Sequence, residues 1–171
     1  MPPDSSQEIL DVVDANDNVI GTNTRGEIHR LGLMHRAVHV LVFNREGELF
    51  LQKRSMRKDN NPGLWDTSAA GHVDSGEDYE NCAIREIGEE LGVALDKQPS
   101  YLFRLPPTES NGMEHCKVYK CLHDGPFTLD VYEIDEGKWF TQTELEDICT
   151  ENDTQYTSVL KDIWQRYSSC S

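Results

Sequence analysis

The sequence predicts a mixed α/β layered domain. Three observations favour this class. Runs of β-branched and apolar residues lie on both sides of one long helical segment, that segment repeats apolar residues at helical spacing, and an amphipathic helix ends the chain. The length of 171 residues suits one domain with a substantial core. We expect residues 1–7 to be disordered and residues 8–171 to fold as a single domain.

The residues before the central helix are predicted to form two hairpins joined by a short helix or an irregular crossover. Each hairpin places apolar and β-branched runs on either side of a turn rich in asparagine, aspartate or glycine. The predicted strands are residues 9–13, 19–22, 36–43 and 48–54, and the crossover covers residues 25–32.

The residues after the central helix are predicted to add strands and two helices. The strands are residues 101–105, 114–122 and the strand end at 138–140. A short helix over residues 144–149 is expected to begin at Thr141 or Thr143, because threonine is a good N-cap residue. The last helix, residues 157–167, is predicted to bury an apolar stripe. That stripe consists of Val159, Leu160, Ile163 and Trp164.

The charge of the chain restricts its partners. A net charge of −15 argues against nucleic-acid polymers and anionic membranes, since both require a basic surface that releases counterions. No partner of either kind is therefore expected. The sequence leaves the oligomeric state open.

The cysteines and the N-terminal residues favour a cytoplasmic protein. The five cysteines form no CxxC pair, and an odd number without a framework is typical of reduced thiols. The first residues carry neither a basic region nor an apolar run, and no stretch approaches 18 apolar residues.

The central segment, residues 71–93, carries the chemistry. Asp74 or Ser75 is the expected helix start, and Gly92 the expected C-cap. Its glutamates, Glu86, Glu89 and Glu90, stand at i, i+3 and i+4, so they share one face and repel one another. A hard cation such as Mg²⁺ or Mn²⁺, which prefers oxygen ligands, would compensate this charge. The alternative is a solvated acidic face, which is common on Glu-rich helices.

The segment GHVDSGEDYENCAIREIGEELGV resembles the signature of the Nudix hydrolases, the Nudix box, with every specified position filled. The resemblance implies an α/β/α sandwich around a mixed β-sheet and a metal-dependent hydrolase that cleaves a diphosphate bond. It assigns Glu86, Glu89, Glu90 and the carbonyl of Gly71 as metal ligands. It also implies that Arg85 and Glu77 fix the helix carboxylates.

The rest of the proposed hydrolytic site comes mainly from residues outside this signature. One to three Mg²⁺ or Mn²⁺ ions are expected to bridge the diphosphate and to activate the attacking water. Arg54 and Lys58, in a basic cluster before a Pro-Gly turn, are predicted to bind phosphoryl oxygens. The general base is predicted to be Glu133 or Glu89, with Glu136 a weaker choice.

A narrower resemblance covers most of residues 8–140. The runs HRAVHVLVFNREGELFLQKRS and PGLWDTSAAGH resemble isopentenyl-diphosphate isomerases and the Nudix hydrolases nearest to them. This implies a second metal site at His29, His35, His72 and Glu114, whereas a further isomerase glutamate falls at Gly112. The isomerase cysteine falls at Ala70, which cannot serve as an acid or base. We therefore predict a hydrolase, with an isomerase using another acid as the alternative.

Two further questions stay open at this point. A non-catalytic domain that senses a diphosphate is a second alternative, although such domains commonly have eroded signatures. The organic group of the substrate is prenyl, another small organic group or a nucleoside, because Trp65, Phe103 and Tyr119 suit a prenyl tail and a nucleobase equally well. The other histidines, His39, His115 and His123, are expected to be structural.

Overall fold

A computed structural model describes residues 5–169 of the chain. Its strands are β1 Ile9–Val13, β2 Val19–Thr24, β3 His35–Phe43, β4 Leu49–Arg54, β5 Trp65–Asp66, β6 Ala69–His72, β7 Ser100–Leu105, β8 Glu114–Leu122 and β9 Ile134–Phe140. Its α-helices are α1 Arg25–Leu31, α2 Tyr79–Leu91, α3 Gln142–Glu151 and α4 Ser158–Ser169. Short 3-10 helices cover Ser5–Gln7 and Glu109–Asn111. Residues 5–7, which we expected to be disordered, therefore form a turn, and residues 1–4 lie outside the described part of the chain.

The strands form a mixed seven-stranded sheet and a separate hairpin. The sheet has the order β5-β4-β3-β8-β7, with β6 paired to β3 and β9 paired to β4. Strand β3 runs parallel to β8 and antiparallel to β4 and β6. The hairpin of β1 and β2 stands beside this sheet. The predicted mixed sheet is thereby confirmed.

Helices cover both faces of the sheet. Alternate residues of β3 point to opposite faces, as the pleat of a strand requires. Val38 and Val40 pack in the cluster that contains Ile87 of α2, whereas Leu41 packs in the cluster that contains Ile163 of α4. This confirms the α/β/α sandwich. Of the predicted stripe on the last helix, Leu160, Ile163 and Trp164 are buried, and Val159 is partly buried.

Helix α2 begins three or four residues later than the sequence suggested. Its N-cap is Asp78, whose carboxylate accepts a hydrogen bond from Asn81 N at 2.7 Å. The predicted start is occupied by another interaction, because Ser75 N donates to Ile9 O at 3.1 Å and Ser75 Oγ donates to Asp11 at 2.8 Å. Gly92 ends the helix as expected, with a left-handed φ of 70°.

Short elements were the ones that the sequence did not predict. Strands β5 and β6 span two and four residues, and β6 is built from alanine, glycine and histidine rather than from good strand formers. Strand β9 begins at Ile134, earlier than the strand end predicted at residues 138–140. Within residues 5–169, the longest helix has 13 residues, and none is long and apolar enough to span a bilayer.

Candidate active site

Helix α2 and strand β6 bring together the carboxylates predicted to bind metal. Glu86 and Glu90 face the sheet and are only 9% and 5% exposed, whereas the side chain of Glu89 is 58% exposed. Two of the three carboxylates are thus held away from water on one side of the helix. The solvated acidic face considered as an alternative describes Glu89 alone.

Gly71 allows β6 and α2 to approach closely at this point. A Cβ atom added at Gly71 would overlap the carboxylate of Glu86, so any side chain there would displace that group. The glycine of the signature is therefore required sterically. Its place in β6, opposite Val38 of β3, sets the Gly71 backbone beside the Glu86 carboxylate.

Arg85 joins the helix carboxylates to the loop before the helix. Its Nη1 donates to Glu86 at 2.7 Å and to Glu89 at 3.2 Å. Its Nε and Nη2 donate to the two oxygens of Glu77 at 2.8 and 2.9 Å. Nη2 also donates to the carbonyl of His72 at 3.0 Å. The contacts of Arg85 with Glu77 therefore match those that the resemblance implied.

Glu90 is held by uncharged donors. The backbone N–H of Ala70 donates to it at 2.8 Å, and Gln52 Nε2 donates at 3.4 Å. Burial raises the pKa of Glu90 to about 8 despite these hydrogen bonds, and burial together with the charge of Glu90 raises the pKa of Glu86 well above its usual value. Sequence reasoning missed Gln52, which stands between the apolar run 49–51 and the basic residues Lys53 and Arg54 and carries no signal of its own.

The predicted phosphate-binding residues lie on the strand end and loop beside this site. Lys58 forms an ion pair with Glu133, the predicted base. Arg54 donates to the buried carboxylate of Asp66 at 3.4 Å and to Asn60 O at 3.0 Å. Glu136, the weaker candidate for the base, is exposed on β9 and pairs in register with Lys53.

Three histidines form a second cluster, which includes His72 at the end of β6, next to Gly71. His29, His35 and His72 each place one ring nitrogen in this cluster, and these three nitrogens all lie within 4.8 Å of one another. Glu114 Oε2 lies 2.8 Å from His72 Nε2 and 3.3 Å from His35 Nε2. The buried Nε2 of His35 nevertheless makes no hydrogen bond of good geometry within the described residues. This arrangement brings the four predicted residues together.

The histidine cluster perturbs the pKa of two of its members. Burial opposes ionisation of Glu114, but its close contacts with His35 and His72 outweigh burial and hold the pKa well below the usual value. Burial, reinforced by the neighbouring cationic groups, lowers the pKa of His29 to about 4. An uncharged His29 has a lone pair available for a metal ion.

The remaining predicted residues lie outside both clusters. His39 bonds with Thr67 at 2.7 Å, His115 with the carbonyl of Asp14 at 2.9 Å, and His123 with Gly125 N at 2.9 Å, as expected of structural histidines. The aromatic residues proposed for the organic group of the substrate are packed in the protein interior instead. These are Trp65 and Tyr119, which are 9% and 5% exposed, and Phe103, which packs against the core below α4.

Comparisons with known proteins agree with this geometry. The family model of the Nudix domain matches residues 33–161. Isopentenyl-diphosphate Delta-isomerase 2 of Photorhabdus laumondii is 34% identical over 91% of this chain and 90% of its own length. An uncharacterized Nudix hydrolase of Pseudomonas aeruginosa is 35% identical over 82% of each chain. The crystal structure of DR0079 from Deinococcus radiodurans superposes with a TM-score of 0.82 at 28% identity, covering 93% of this chain and 98% of that one.

The α/β/α sandwich, with buried glutamates of α2 packed against β6, has the architecture of the Nudix fold. The chain belongs to the Nudix family, and it is a Nudix hydrolase.

Proposed function

We propose that this enzyme hydrolyses a diphosphate bond in a small organic diphosphate, prenyl diphosphates included, or in a nucleoside diphosphate derivative, with Mg²⁺ or Mn²⁺ as cofactor. The observation that carries the proposal is the burial of Glu86 and Glu90 side by side, with the pKa of both raised. Among the described residues, Arg85 is the one basic side chain in salt-bridge contact with Glu86, and none is in such contact with Glu90. Two buried carboxylates with so little compensation favour a bound cation.

The donor set fits a hard divalent ion. The oxygens of Glu86, Glu89 and Glu90, with the carbonyl of Gly71, are the ligands that Mg²⁺ and Mn²⁺ prefer. When bound, such an ion supplies charge neutralisation for the diphosphate and a water activated for attack on phosphorus. Arg85 positions two of these carboxylates through its bonds to Glu86 and Glu89.

Protein side chains perform the other steps. Lys58 and Arg54 are proposed to bind the phosphoryl oxygens that do not react, where charge strengthens each hydrogen bond. Glu133 is proposed to accept the proton of the attacking water, with Glu89 as the other candidate. Asp66, which is 3% exposed, keeps the Arg54 side chain at the strand end.

Substitution of Glu90 tests the proposal. Glu90→Gln keeps the size of the side chain and removes its charge, so metal-dependent phosphate release should fall by at least about 100-fold. A panel of prenyl, nucleoside and sugar diphosphates, each assayed with Mg²⁺ and with Mn²⁺, gives the substrate class. Glu80→Gln on the same helix is the matched control and should retain activity. Activity of Glu90→Gln within a few-fold of the parent enzyme would refute the assignment.

An isomerase remains the second candidate because of the histidine cluster and the name of the Photorhabdus relative. Isomerisation of an alkene needs a proton donor and acceptor, and the residue at the isomerase cysteine position is Ala70. Incubation with isopentenyl diphosphate in deuterated water distinguishes the two reactions. Deuterium in the carbon chain of the recovered prenyl diphosphate, without phosphate release, would favour the isomerase. Phosphate release without deuterium uptake supports the hydrolase.

We also propose that His29, His35, His72 and Glu114 bind one further metal ion, Zn²⁺ or Mn²⁺, in a structural role. Three imidazoles and one carboxylate form a donor set that suits tetrahedral Zn²⁺. Such an ion would also explain why the buried Nε2 of His35 has no hydrogen-bond partner within the described residues. Equilibrium dialysis against Zn²⁺ should show one tight site in the wild type. His29→Ala should lose that site, while the control His123→Ala should keep it.

The proposed cellular location is the cytoplasm. The four cysteines within the described residues, Cys82, Cys116, Cys121 and Cys149, are all free, and the fifth, Cys170, lies outside those residues. Free thiols are typical of a reducing compartment.

A further inference from the structure

Two segments meet at the edge of the hydrolytic site and are joined by hydrogen bonds from the backbone of the first segment. Residues 55–58 follow β4, and residues 130–133 precede β9. Ser55 N donates to the carbonyl of Glu133 at 2.9 Å, and Met56 N donates to the carboxylate of Asp135, at the start of β9, at 3.1 Å. Two backbone N–H groups of the first segment therefore hold it against the second, without using the side chains of Lys58 and Glu133.

The side chains of Lys58 and Glu133 form an ion pair between these segments. The ammonium group of Lys58 contacts Glu133 Oε2, and the two side chains are 24% and 39% exposed. Both charges act on Glu90, since Lys58 lowers and Glu133 raises the pKa of that carboxyl group. The pair thus lies beside the carboxylates of the proposed metal site, where a diphosphate would be held.

While Lys58 and Glu133 are paired, neither side chain is free for its proposed role, which is phosphate binding for Lys58 and proton acceptance for Glu133. Lys58 is proposed to bind a phosphoryl oxygen, but its ammonium group already contacts a carboxylate oxygen. Glu133 is proposed to accept a proton, but its Oε2 already contacts the ammonium group of Lys58. A phosphoryl oxygen and a carboxylate oxygen are alternative partners for the same ammonium group.

We propose that Glu133 occupies, in the free enzyme, the position on Lys58 that a phosphoryl oxygen of the substrate takes. Binding of the diphosphate exchanges one anion for the other and releases Glu133 to act as the base. The proton of the attacking water then moves to Glu133 as the water oxygen bonds to phosphorus. The bridging P–O bond breaks with its electron pair on the departing phosphate. This inference rests on the proposed hydrolase function.

The exchange requires only side-chain rotation, because the segment that carries Lys58 is held from both sides. On one side are the backbone contacts of Ser55 and Met56. On the other, Arg25, which is 7% exposed, donates to Asp59 at 3.0 and 3.3 Å. Lys58 can therefore change partners without a movement of its loop.

The test measures binding and turnover separately. The probe is methylenediphosphonate, a diphosphate that cannot be hydrolysed, and its Kd is measured by calorimetry with Mg²⁺ in fixed excess. Glu133→Gln should tighten binding by about two- to fivefold, the range expected for release from a partly exposed ion pair. The same variant should lower kcat on the best substrate by at least about tenfold, because it lacks the base.

The Lys58→Met background separates exchange from simple charge repulsion. If Glu133 only repels the anion, Glu133→Gln tightens binding equally with and without Lys58. The exchange predicts that the gain disappears in the double variant. Glu146→Gln, an exposed acid on α3, controls for net charge and should leave the Kd unchanged.

Three results would overturn the exchange, and they differ from a failure of the proposed function. Unchanged or weaker binding by Glu133→Gln, or equal tightening in the Lys58→Met background, contradicts the exchange while leaving hydrolysis intact. If Lys58→Met binds the probe as tightly as the wild type, Lys58 does not bind the diphosphate, and the exchange fails with it. A failure of the proposed hydrolase function would instead be seen in the Glu90→Gln assay, as activity within a few-fold of the parent enzyme.

Discussion

Two groups of ionisable side chains meet at β6, and they differ in how their buried carboxylates are compensated. Glu86 and Glu90, beside Gly71, have raised pKa values because burial and the charges of neighbouring glutamates outweigh the help of Arg85, Lys58 and neutral donors. Glu114, beside His72, has a lowered pKa because two imidazoles contact it. The first group needs an added cation to be stable when ionised, whereas the second carries its own potential cations.

This difference teaches which group is suited to which task. A site whose carboxylates are under-compensated binds divalent ions with a large electrostatic gain and can release them to a charged substrate. A site built from imidazoles suits a permanent ion that holds segments together. The two groups remain connected, since Arg85 bonds Glu86 and also the carbonyl of His72.

The largest expected effect comes from a side chain at Gly71. Gly71→Ala places a methyl group where the carboxylate of Glu86 lies, so that carboxylate must move. A displacement of about 1 Å at a catalytic group costs on the order of 100-fold in rate. We expect kcat to fall by about that factor and the affinity for Mn²⁺, measured by electron paramagnetic resonance, to weaken.

The matched control for Gly71→Ala is Gly21→Ala on β2. A Cβ atom there meets no atom within 4 Å, so hydrolysis should be unchanged. Full activity of Gly71→Ala would show that the carboxylate of Glu86 is not needed at its place against β6. The contrast between the two groups would then lose its functional meaning.

A smaller effect on turnover is expected when the histidine cluster is altered. Glu114→Gln removes the charge that faces His35 and His72 but leaves α2 untouched. We expect loss of tightly bound metal, measured by plasma mass spectrometry, and destabilisation of about 1–3 kcal/mol. Hydrolysis at saturating Mg²⁺ should stay within about threefold of the wild type. A collapse of kcat in a protein that is still folded would show that the two groups act as one site.

The pH dependence of metal-free stability should have opposite signs for the two groups. The raised pKa of Glu90 means that the folded state binds more protons than the unfolded state between pH 4.5 and about 8. Its contribution to stability is therefore present at low pH and lost as the pH rises through that window. The lowered pKa of Glu114 works the other way: its contribution is present above pH 4.5 and lost as the pH falls below it.

Thermal unfolding in chelator measures this difference. Between pH 5 and 8 the melting temperature should fall by on the order of 5 °C, and Glu90→Gln should flatten the slope. Addition of Mg²⁺ should restore the stability at pH 8, because the ion binds the ionised carboxylates. An equal slope in the wild type and in Glu90→Gln would mean that the general negative charge of the chain, rather than this carboxylate, causes the fall.

Much of the fold was predictable because long elements have strong periodic patterns. Strands β3 and β8, helix α4 and the end of helix α2 appeared close to their predicted bounds. The start of α2 was not predictable locally, since Ser75 is taken by Asp11, 64 residues earlier in the chain. Strands β5 and β6 exist only because β3 and β4 offer them partners.

The residues of the candidate site were predictable where their spacing carries chemistry. The three helix glutamates and Arg85 share one signature, so their proximity followed from the sequence. The ion pair of Lys58 with Glu133 and the hydrogen bond from Gln52 to Glu90 join residues far apart in sequence. Nothing in one sequence reveals such pairings, because they depend on which strands become neighbours.

The region that precedes the matched family segment has a consequence for anyone who shortens this protein. Residues 5–32 precede the segment 33–161, yet they contribute to its sites. His29 belongs to the histidine cluster, Arg25 bonds Asp59 beside Lys58, and Asp11 bonds Ser75 in the loop before α2. A chain trimmed to the family boundary would keep all three helix glutamates and lose these three side chains, which contact the histidine cluster and the loops around the site. Intact sequence motifs in such a fragment would give no assurance of an intact enzyme.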